Sequence, residues 1–224
     1  MTTATAPLDV VVLVSGRGSN LKAIAAQADA GALPIRILAV VSDRADAGAL
    51  DWARARGIRD IVLSPRDFAD RNAYGRALGD VVDALQPGLV VLAGFMRILS
   101  DDFVNRFLGR MLNIHPSLLP LYPGLHTHRR ALEAGDAEHG ASVHFVTPEL
   151  DGGPVVLQAR VPVLPGDDED TLAARVLRQE HVIFPRVVGW FAAGRLAFRD
   201  GAAWLDGRRL EIPLQLAEPT KESA

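Results

Sequence analysis

The chain has 224 residues, 49% of them hydrophobic, and a formal net charge of −3. This is the profile of one ordinary globular domain and not of a strongly basic nucleic-acid-binding protein. It contains no cysteine, which excludes disulfides, thiol nucleophiles and thiolate metal sites. The opening segment MTTATAPLD lacks the features of a signal peptide, and no apolar run reaches membrane-spanning length, so we expect a cytoplasmic protein that binds neither nucleic acid nor membranes.

Short runs of Val, Leu and Ile alternate with segments of helical composition through the first half of the chain. The predicted strands are residues 10–15, 35–42, 58–64, 88–95 and 110–114, and the predicted helices are residues 19–30, 46–57 and 70–85. Apolar strands that are separated by helices are typical of a parallel sheet covered on both faces. Ligands bind such sheets beyond the carboxyl ends of the strands, where the segments SGRGSN, AGFMRILS and NIHPSLLP fall.

The second half of the chain has a different pattern. The predicted elements are strands at residues 141–147 and 155–163, a long helix at 168–192 and a hairpin at 196–210. The two strands alternate between apolar and polar residues, so we expect them to be adjacent and partly antiparallel around the loop PELDGGP. The hairpin should turn at Asp200-Gly201, and Pro185 should kink the long helix.

The segment SGRGSN (residues 15–20) follows the first predicted strand and opens the first predicted helix. Free backbone N–H groups and the helix dipole favour a phosphate at such a place, and Ser19 and Asn20 add side-chain donors. A dinucleotide-binding turn is one alternative, because Asp43 ends the second strand where a ribose-binding acid is expected, although the third glycine of that motif is absent. A plain tight turn that begins a helix is the other alternative.

Asn113 and His115 lie two residues apart at the end of the fifth predicted strand, so their side chains project from the same side. An amide donor beside an imidazole can stabilise a developing oxyanion and move a proton. Asp151 lies in the glycine-flanked loop LDGGP, and a carboxylate that touches an imidazole orients it and favours its protonated form. The alternative is that Asn113 and His115 are a pair of satisfied polar groups at a strand end. Periodicity alone does not show that Asp151 contacts His115.

Glu180 interrupts the apolar stripe of the long C-terminal helix, between positions such as Val176 and Ile183. A carboxylate on a stripe that faces the core is costly unless it is paired or belongs to a site. A binding role and a simple break of the pattern near Pro185 are both compatible with this position.

The other histidines and the serines do not predict a metal site or a serine hydrolase. His126, His128 and His139 lack the helical spacing of metal ligands, and an H-E-x-x-H motif is absent. Ser117 and Ser142 are not surrounded by a G-x-S-x-G elbow. We therefore predict no catalytic metal and no serine nucleophile.

Four segments, taken in order, resemble the folate-dependent phosphoribosylglycinamide formyltransferases of early purine synthesis. They are LVSGRGSNLKAI, VVLAGFMRILS, LNIHPSLLPLYPGLHTHRRALEAGDAEHGASVHFVTPELDGGPV and QEHVIFPRVVGWFAAGRL. The element N-x-H-x-S-L-L-P marks the wider group of enzymes that use formyltetrahydrofolate, and the continuation YPGLHTH is more specific to this family. The resemblance runs from Val11 to Gly207, with Arg17 standing where a smaller polar residue is expected.

The resemblance implies a role for each candidate residue. The implied binders of the phosphoribosylglycinamide substrate are Gly18, Ser19, Asn20 and Glu180. The implied folate-binding residues are Arg71, Met96, Arg97, Ile98, Leu99, Asn113, Leu150 and Asp151. Asn113, His115 and Asp151 match the catalytic residues. The resemblance also implies 10-formyltetrahydrofolate as the co-substrate and direct attack of the glycyl amine on its formyl carbon, with no metal.

The resemblance implies an α/β fold, with a Rossmann-like, mostly parallel central sheet, helices on both faces and a mixed C-terminal part of the sheet. We expect a single domain at residues 9–210, with flexible tails at 1–8 and 211–224. Its phosphate-binding half would cover about 9–108, and its folate-binding and catalytic half about 109–210. We expect a monomer or a weak homodimer.

Related enzymes that use the same formyl donor are the nearest alternatives. Methionyl-tRNA formyltransferase should carry a further basic C-terminal domain, and formyltetrahydrofolate deformylase an N-terminal regulatory domain. We expect neither, because the chain is too short for either addition. A non-catalytic nucleotide-binding or NAD-dependent protein would explain the glycine turn and Asp43, but it would not explain Asn113, His115 and the loop at Asp151.

Overall fold

The computed structural model describes residues 6–216, which form two sheets and the helices around them. The strands of the larger sheet are β1 (Leu8–Val14), β2 (Ile35–Ser42), β3 (Arg59–Val62), β4 (Leu89–Leu92), β5 (Met111–His115), β6 (Glu138–Phe145), β7 (Val155–Pro162) and β11 (Leu214–Gln215). The smaller sheet contains β8 (Leu196–Arg199), β9 (Ala202–Leu205) and β10 (Arg208–Arg209). The helices are α1 (Ser19–Asp29), α2 (Gly48–Ala55), α3 (Arg71–Asp83), α4 (Asp101–Arg106), α5 (Thr127–Ala134) and α6 (Glu169–Ala192).

The larger sheet has the strand order β11-β7-β6-β5-β4-β1-β2-β3. Strands β1 to β5 pair in parallel, whereas β6 runs antiparallel to both β5 and β7. The predicted mostly parallel sheet with a mixed C-terminal part is therefore confirmed. Because β1, β4 and β5 are parallel neighbours, their carboxyl ends meet at one edge, and the segments that follow them lie together there.

Successive residues of β1 enter two separate cores, one on each face of the sheet. Val12 belongs to the core that contains Phe184 of α6, and Leu13 belongs to the core that contains Phe103 of α4. All four residues are buried. Burial on both faces explains why the central strands are unbroken apolar runs in the sequence. Because these strands are anchored in two cores, the polar residues that follow them have fixed positions.

Some elements differ from the sequence-based expectation. The short helices α4 and α5 were not predicted, since six and eight residues give little helical periodicity. The predicted tail from residue 211 onward includes β11, which pairs in parallel with β7. Leu8, in the predicted N-terminal tail, begins β1. Residues 1–5 and 217–224 of the predicted tails lie outside the described residues.

The long helix and the hairpin that were predicted in the second half are both present. Helix α6 is one continuous element that contains Pro185. Strands β8 and β9 form the predicted hairpin, in which Arg199 pairs with Ala202 around the turn. Within residues 6–216, no helix is long and apolar enough to cross a membrane.

The loop between β6 and β7 lies tightly against the end of β6. A Cβ atom added to Gly153 would lie only 1.9 Å from the carbonyl oxygen of Phe145. The backbone N–H of Phe145 donates to the carbonyl of Pro154 at 3.1 Å. This close approach is possible because Gly153 has no side chain, and it positions the preceding residue pair, Asp151-Gly152, at the sheet edge.

We expect Gly153→Ala to lower the free energy of unfolding by about 1–3 kcal/mol, because the added methyl group forces the loop away from β6. Chemical denaturation measures this change. Gly152→Ala is the matched control, since its Cβ would meet the side chain of Glu149, which is exposed and can move. Equal destabilisation by both substitutions would contradict the tight packing of the loop at Gly153.

Candidate active site

A cleft of about 930 Å³ opens at the edge where β4 and β5 end. All of the folate-binding residues implied by the sequence line it, namely Arg71, Met96, Arg97, Ile98, Leu99, Asn113, Leu150 and Asp151. His115 lines the cleft as well. The cleft lining does not include the implied substrate-binding residues Gly18, Ser19, Asn20 and Glu180. The candidate residues therefore form two groups at one sheet edge.

Asn113 is held by a cross-strand histidine. It lies opposite His144 in the antiparallel pairing of β5 with β6, and its Nδ2 donates to His144 Nε2 at 3.0 Å. His144 Nδ1 lies 2.9 Å from the carbonyl oxygen of Phe145. A carbonyl can only accept, so Nδ1 carries the proton and Nε2 is free to accept from the amide. Burial lowers the pKa of His144, which favours this neutral form.

The ring of His115 faces an acceptor on each side. Its Nδ1 lies 3.5 Å from Asp151 Oδ2, and its Nε2 lies 2.9 Å from the carbonyl oxygen of Tyr122. The doubly protonated ring would have an acceptor for each N–H, whereas a neutral ring would turn a lone pair towards one of the two oxygens. Both side chains of the pair are largely buried, with exposures of 7% for His115 and 10% for Asp151. The contacts with Asp151 and Tyr122 therefore hold the ring in one orientation in the cleft.

Asp151 links the two loops that surround the cleft. Its Oδ2 accepts a hydrogen bond from the backbone N–H of Gly124 at 2.8 Å, and its Oδ1 lies 3.8 Å from His144 Nε2. The residue has a positive φ of 51°, a conformation that is uncommon outside glycine. The structure thus brings Asn113 and His115 of β5 together with Asp151 of the β6–β7 loop.

The glycine turn after β1 has the geometry of an anion site. Gly18 has a φ of 71°, and a Cβ atom there would lie 2.7 Å from the Cβ of Ala49, so only glycine fits without movement. Gly18 is the N-cap of α1 and offers no side-chain cap. The first backbone N–H groups of α1, including those of Ser19 and Asn20, therefore have no side-chain acceptor from the cap residue and are suited to a bound anion.

Asn20 and Glu180 form a buried pair although they are far apart in the sequence. Asn20 Nδ2 donates to Glu180 Oε2 at 2.7 Å, and the two residues are only 6% and 7% exposed. Burial raises the pKa of the Glu180 carboxyl, although the hydrogen bond from Asn20 opposes this shift. Within the described residues, Asn20 Oδ1 has no hydrogen-bond partner. Glu180 is therefore paired and buried, and the cost of the pair in the free protein is not fully offset by hydrogen bonds.

Asp43 is not available for a nucleotide ribose. Its Oδ2 accepts a hydrogen bond from Nε of Arg97 at 2.7 Å, and the Asp43 side chain is only 2% exposed. The acid that ends β2 is thus paired with an arginine of the cleft, and this removes the main support for a dinucleotide site.

His128, His139, Ser117 and Ser142 are held by contacts with one another or with the backbone. His139 Nε2 lies 3.1 Å from His128 Nδ1, and burial lowers the pKa of His139 to about 4. Ser142 Oγ donates to the carbonyl of Ser117 at 2.6 Å. In residues 6–216, no group of three or more His, Cys, Asp or Glu side chains could hold a metal ion.

Sequence reasoning missed His144, Tyr122 and Gly124 as parts of the site. A histidine within the apolar strand segment SVHFV is an available signal for His144, but its pairing with Asn113 depends on the strand register. Tyr122 and Gly124 take part through their backbones, for which the residue type carries no signal.

Comparison with known proteins gives consistent matches. A protein-family model described as formyl transferase matches residues 8–188. The chain is 58% identical over 203 residues to the phosphoribosylglycinamide formyltransferase of Escherichia coli (strain K12), covering 91% of this chain and 96% of that one.

Solved structures with the same fold extend this result. A phosphoribosylglycinamide formyltransferase from Coxiella burnetii is 47% identical, with a TM-score of 0.88 and coverage of 93% of this chain and 99% of that one. A formyltetrahydrofolate deformylase from Pseudomonas putida KT2440 is 27% identical, with a TM-score of 0.80 and coverage of 91% and 72%. By the extent of these matches, the chain belongs to the formyl transferase family.

Proposed function

We propose that this chain transfers the formyl group of 10-formyltetrahydrofolate to the glycyl amine of 5-phosphoribosylglycinamide. The products are formylglycinamide ribonucleotide and tetrahydrofolate, in a step of de novo purine synthesis. The observation that carries the proposal is the convergence of Asn113, His115 and Asp151 in one cleft. The identity of 58% to the Escherichia coli formyltransferase supports the choice of acceptor.

The folate co-substrate occupies the cleft that Asn113 and His115 line. Apolar side chains at its mouth are unusually exposed, with Met96 at 69%, Ile98 at 59% and Leu150 at 52%. A flat pterin ring buries such side chains on binding, which provides a favourable contribution to affinity. The arginines Arg71 and Arg97 supply positive charge for the carboxylates of the folate.

The ribosylglycinamide substrate binds along the sheet edge from the glycine turn towards His115. The phosphate accepts hydrogen bonds from the turn formed by Gly18, Ser19 and Asn20, and Glu180 contacts the same substrate. The ends of β1 and β5 are about 10 Å apart, because only β4 lies between them. A phosphorylated ribose that carries a glycinamide group can bridge this distance and present its amine to the cleft.

Chemistry then proceeds by direct attack. The glycyl amine attacks the formyl carbon, and the carbonyl oxygen becomes an oxyanion that the Asn113 amide and protonated His115 stabilise. Asp151 keeps His115 aligned and compensates its charge. A proton moves through water from the attacking amine to N10 of the folate, which leaves as tetrahydrofolate. Alignment of two bound substrates supplies much of the acceleration, and this path needs neither a covalent enzyme intermediate nor a metal.

Hydrolysis of the same donor is the competing reaction, because the deformylase from Pseudomonas putida KT2440 has the same fold. A product assay separates the two. Purified protein is mixed with 10-formyltetrahydrofolate, with and without phosphoribosylglycinamide, and the formyl group is followed by mass spectrometry. We expect the formyl group to appear on the glycinamide only when that amine is present. Free formate at the same rate in both mixtures would contradict the proposal and indicate a hydrolase.

His115→Ala and Asp151→Asn should each lower kcat by about 10²–10³-fold, since each removes part of the stabilisation of the oxyanion. Steady-state kinetics measures the loss. Asp167→Asn is a matched control, because Asp167 is a buried carboxylate paired with Arg175 and does not line the cleft. A control that loses as much activity per folded molecule as Asp151→Asn would contradict the assigned role.

Glu180→Gln should weaken binding of phosphoribosylglycinamide by about tenfold, because it removes a charged hydrogen-bond acceptor. The same change should stabilise the free protein at neutral pH. Burial raises the pKa of Glu180 in the folded chain above its ordinary value of 4.5. The parent therefore loses stability as the pH rises from about that value through the raised folded-state pKa, whereas the variant does not.

Denaturation at a series of pH values tests this expectation, and Glu133→Gln on the exposed surface of α5 is the control. The stability difference between Glu180→Gln and the parent should shrink at acid pH, where Glu180 is protonated. A difference that is independent of pH would show that the charge of Glu180 is not the cause.

His144→Ala and Asn113→Ala should lower kcat by non-additive amounts. His144 acts by fixing the Asn113 amide, so its removal should have almost no effect once Asn113 is alanine. A double-mutant cycle on kcat measures the coupling. Fully additive losses would mean that His144 acts on the reaction independently of Asn113.

A further inference from the structure

Asp43 is a buried carboxylate that the proposed chemistry does not use. It follows β2, and the whole residue is only 4% exposed. Its Oδ2 accepts from Arg97 Nε at 2.7 Å, whereas its Oδ1 is buried and has no hydrogen-bond partner within the described residues. Burying a carboxylate is costly unless a cation compensates it. Arg97 is that cation, so the geometry of this one arginine depends on Asp43.

Arg97 is held at only one of its three nitrogens. The hydrogen bond to Asp43 uses Nε, and the two Nη groups make no hydrogen bond within residues 6–216. The Arg97 side chain is 49% exposed and lines the cleft. Because a guanidinium is planar, a bond at Nε fixes the direction in which both Nη groups point. An arginine anchored in this way presents both Nη groups in a fixed orientation to an anion.

Asp43 and Arg97 differ in their surroundings, because Asp43 is buried whereas Arg97 is half exposed. Tyr74 lines the same wall of the cleft and is only 5% exposed. Burial raises the pKa of the Tyr74 hydroxyl, and the nearby charge of Asp43 adds to this shift. Because the Asp43 side chain is buried, little water competes with Arg97 for its carboxylate. The outer side of Arg97 remains open to a ligand.

We propose that Asp43 is a positioning residue that orients Arg97 to receive a carboxylate of the folate co-substrate. This inference rests on the proposed function. The pterin ring is uncharged at neutral pH, so the carboxylates of the glutamate portion are the anions that a fixed guanidinium fork can pair with. Asp43 lies at the position where a dinucleotide-binding protein has its ribose-binding acid. Here it contributes to the binding of a different ligand, through Arg97.

Binding calorimetry under anaerobic conditions tests the proposal without any turnover. The ligands are tetrahydrofolate and tetrahydropteroate, which differs by lacking the glutamate. Asp43→Asn should weaken binding of tetrahydrofolate by about tenfold and leave binding of tetrahydropteroate unchanged. The matched control is Asp46→Asn, which removes an exposed ion pair with Arg44 only three residues away. It should leave both affinities unchanged.

A second variant keeps the test decisive if Asp43→Asn is poorly folded. Arg97→Ala should also weaken tetrahydrofolate selectively, and Asp43→Asn should add no further loss in that background. Equal weakening of both ligands, or no weakening of either, would overturn the positioning role of Asp43 and leave the formyl transfer proposal intact. If the parent chain bound neither ligand, both proposals would fail.

Discussion

The contact between Asp151 and His115 is the constraint on which the rest of the site depends. The carboxylate of Asp151 lies beside the imidazole of His115 at the end of β5 and also accepts from the N–H of Gly124 in the loop that follows. It can do so only because Gly153 allows the β6–β7 loop to lie against β6. A single buried charge therefore joins two loops, and the position of each loop depends on the other.

Asn20 and Asn113 share an arrangement in which a hydrogen bond fixes one part of the amide and leaves another part without a protein partner within residues 6–216. Asn20 donates to Glu180 while its Oδ1 has no partner among the described residues. His144 holds one donor of the Asn113 amide, and the remaining donor and acceptor are available to the cleft. Such preorganisation costs stability in the free protein, but it lowers the reorganisation needed when charge develops during reaction.

Much of the fold could be predicted because burial on both faces makes the central strands continuous apolar runs, as β4 illustrates. The short helices α4 and α5 and the edge strand β11 carry too few residues for a periodic signal. In the site, the alternation of an extended strand was enough to place Asn113 beside His115. The contacts of Asp151 and the pair between Asn20 and Glu180 arise from tertiary packing, and a sequence pattern contains no information about such distances.

Direct formyl transfer requires both substrates to meet at one sheet edge, with the amine beside the formyl carbon. A crystal structure of the complex with phosphoribosylglycinamide and an unreactive analogue of the formyl donor tests this requirement. We expect the phosphate on the turn at Gly18 and the glycyl amine within about 3–3.5 Å of the atom that replaces the formyl carbon, beside Asn113 and His115. A phosphate bound elsewhere, or an amine held outside the cleft, would contradict it.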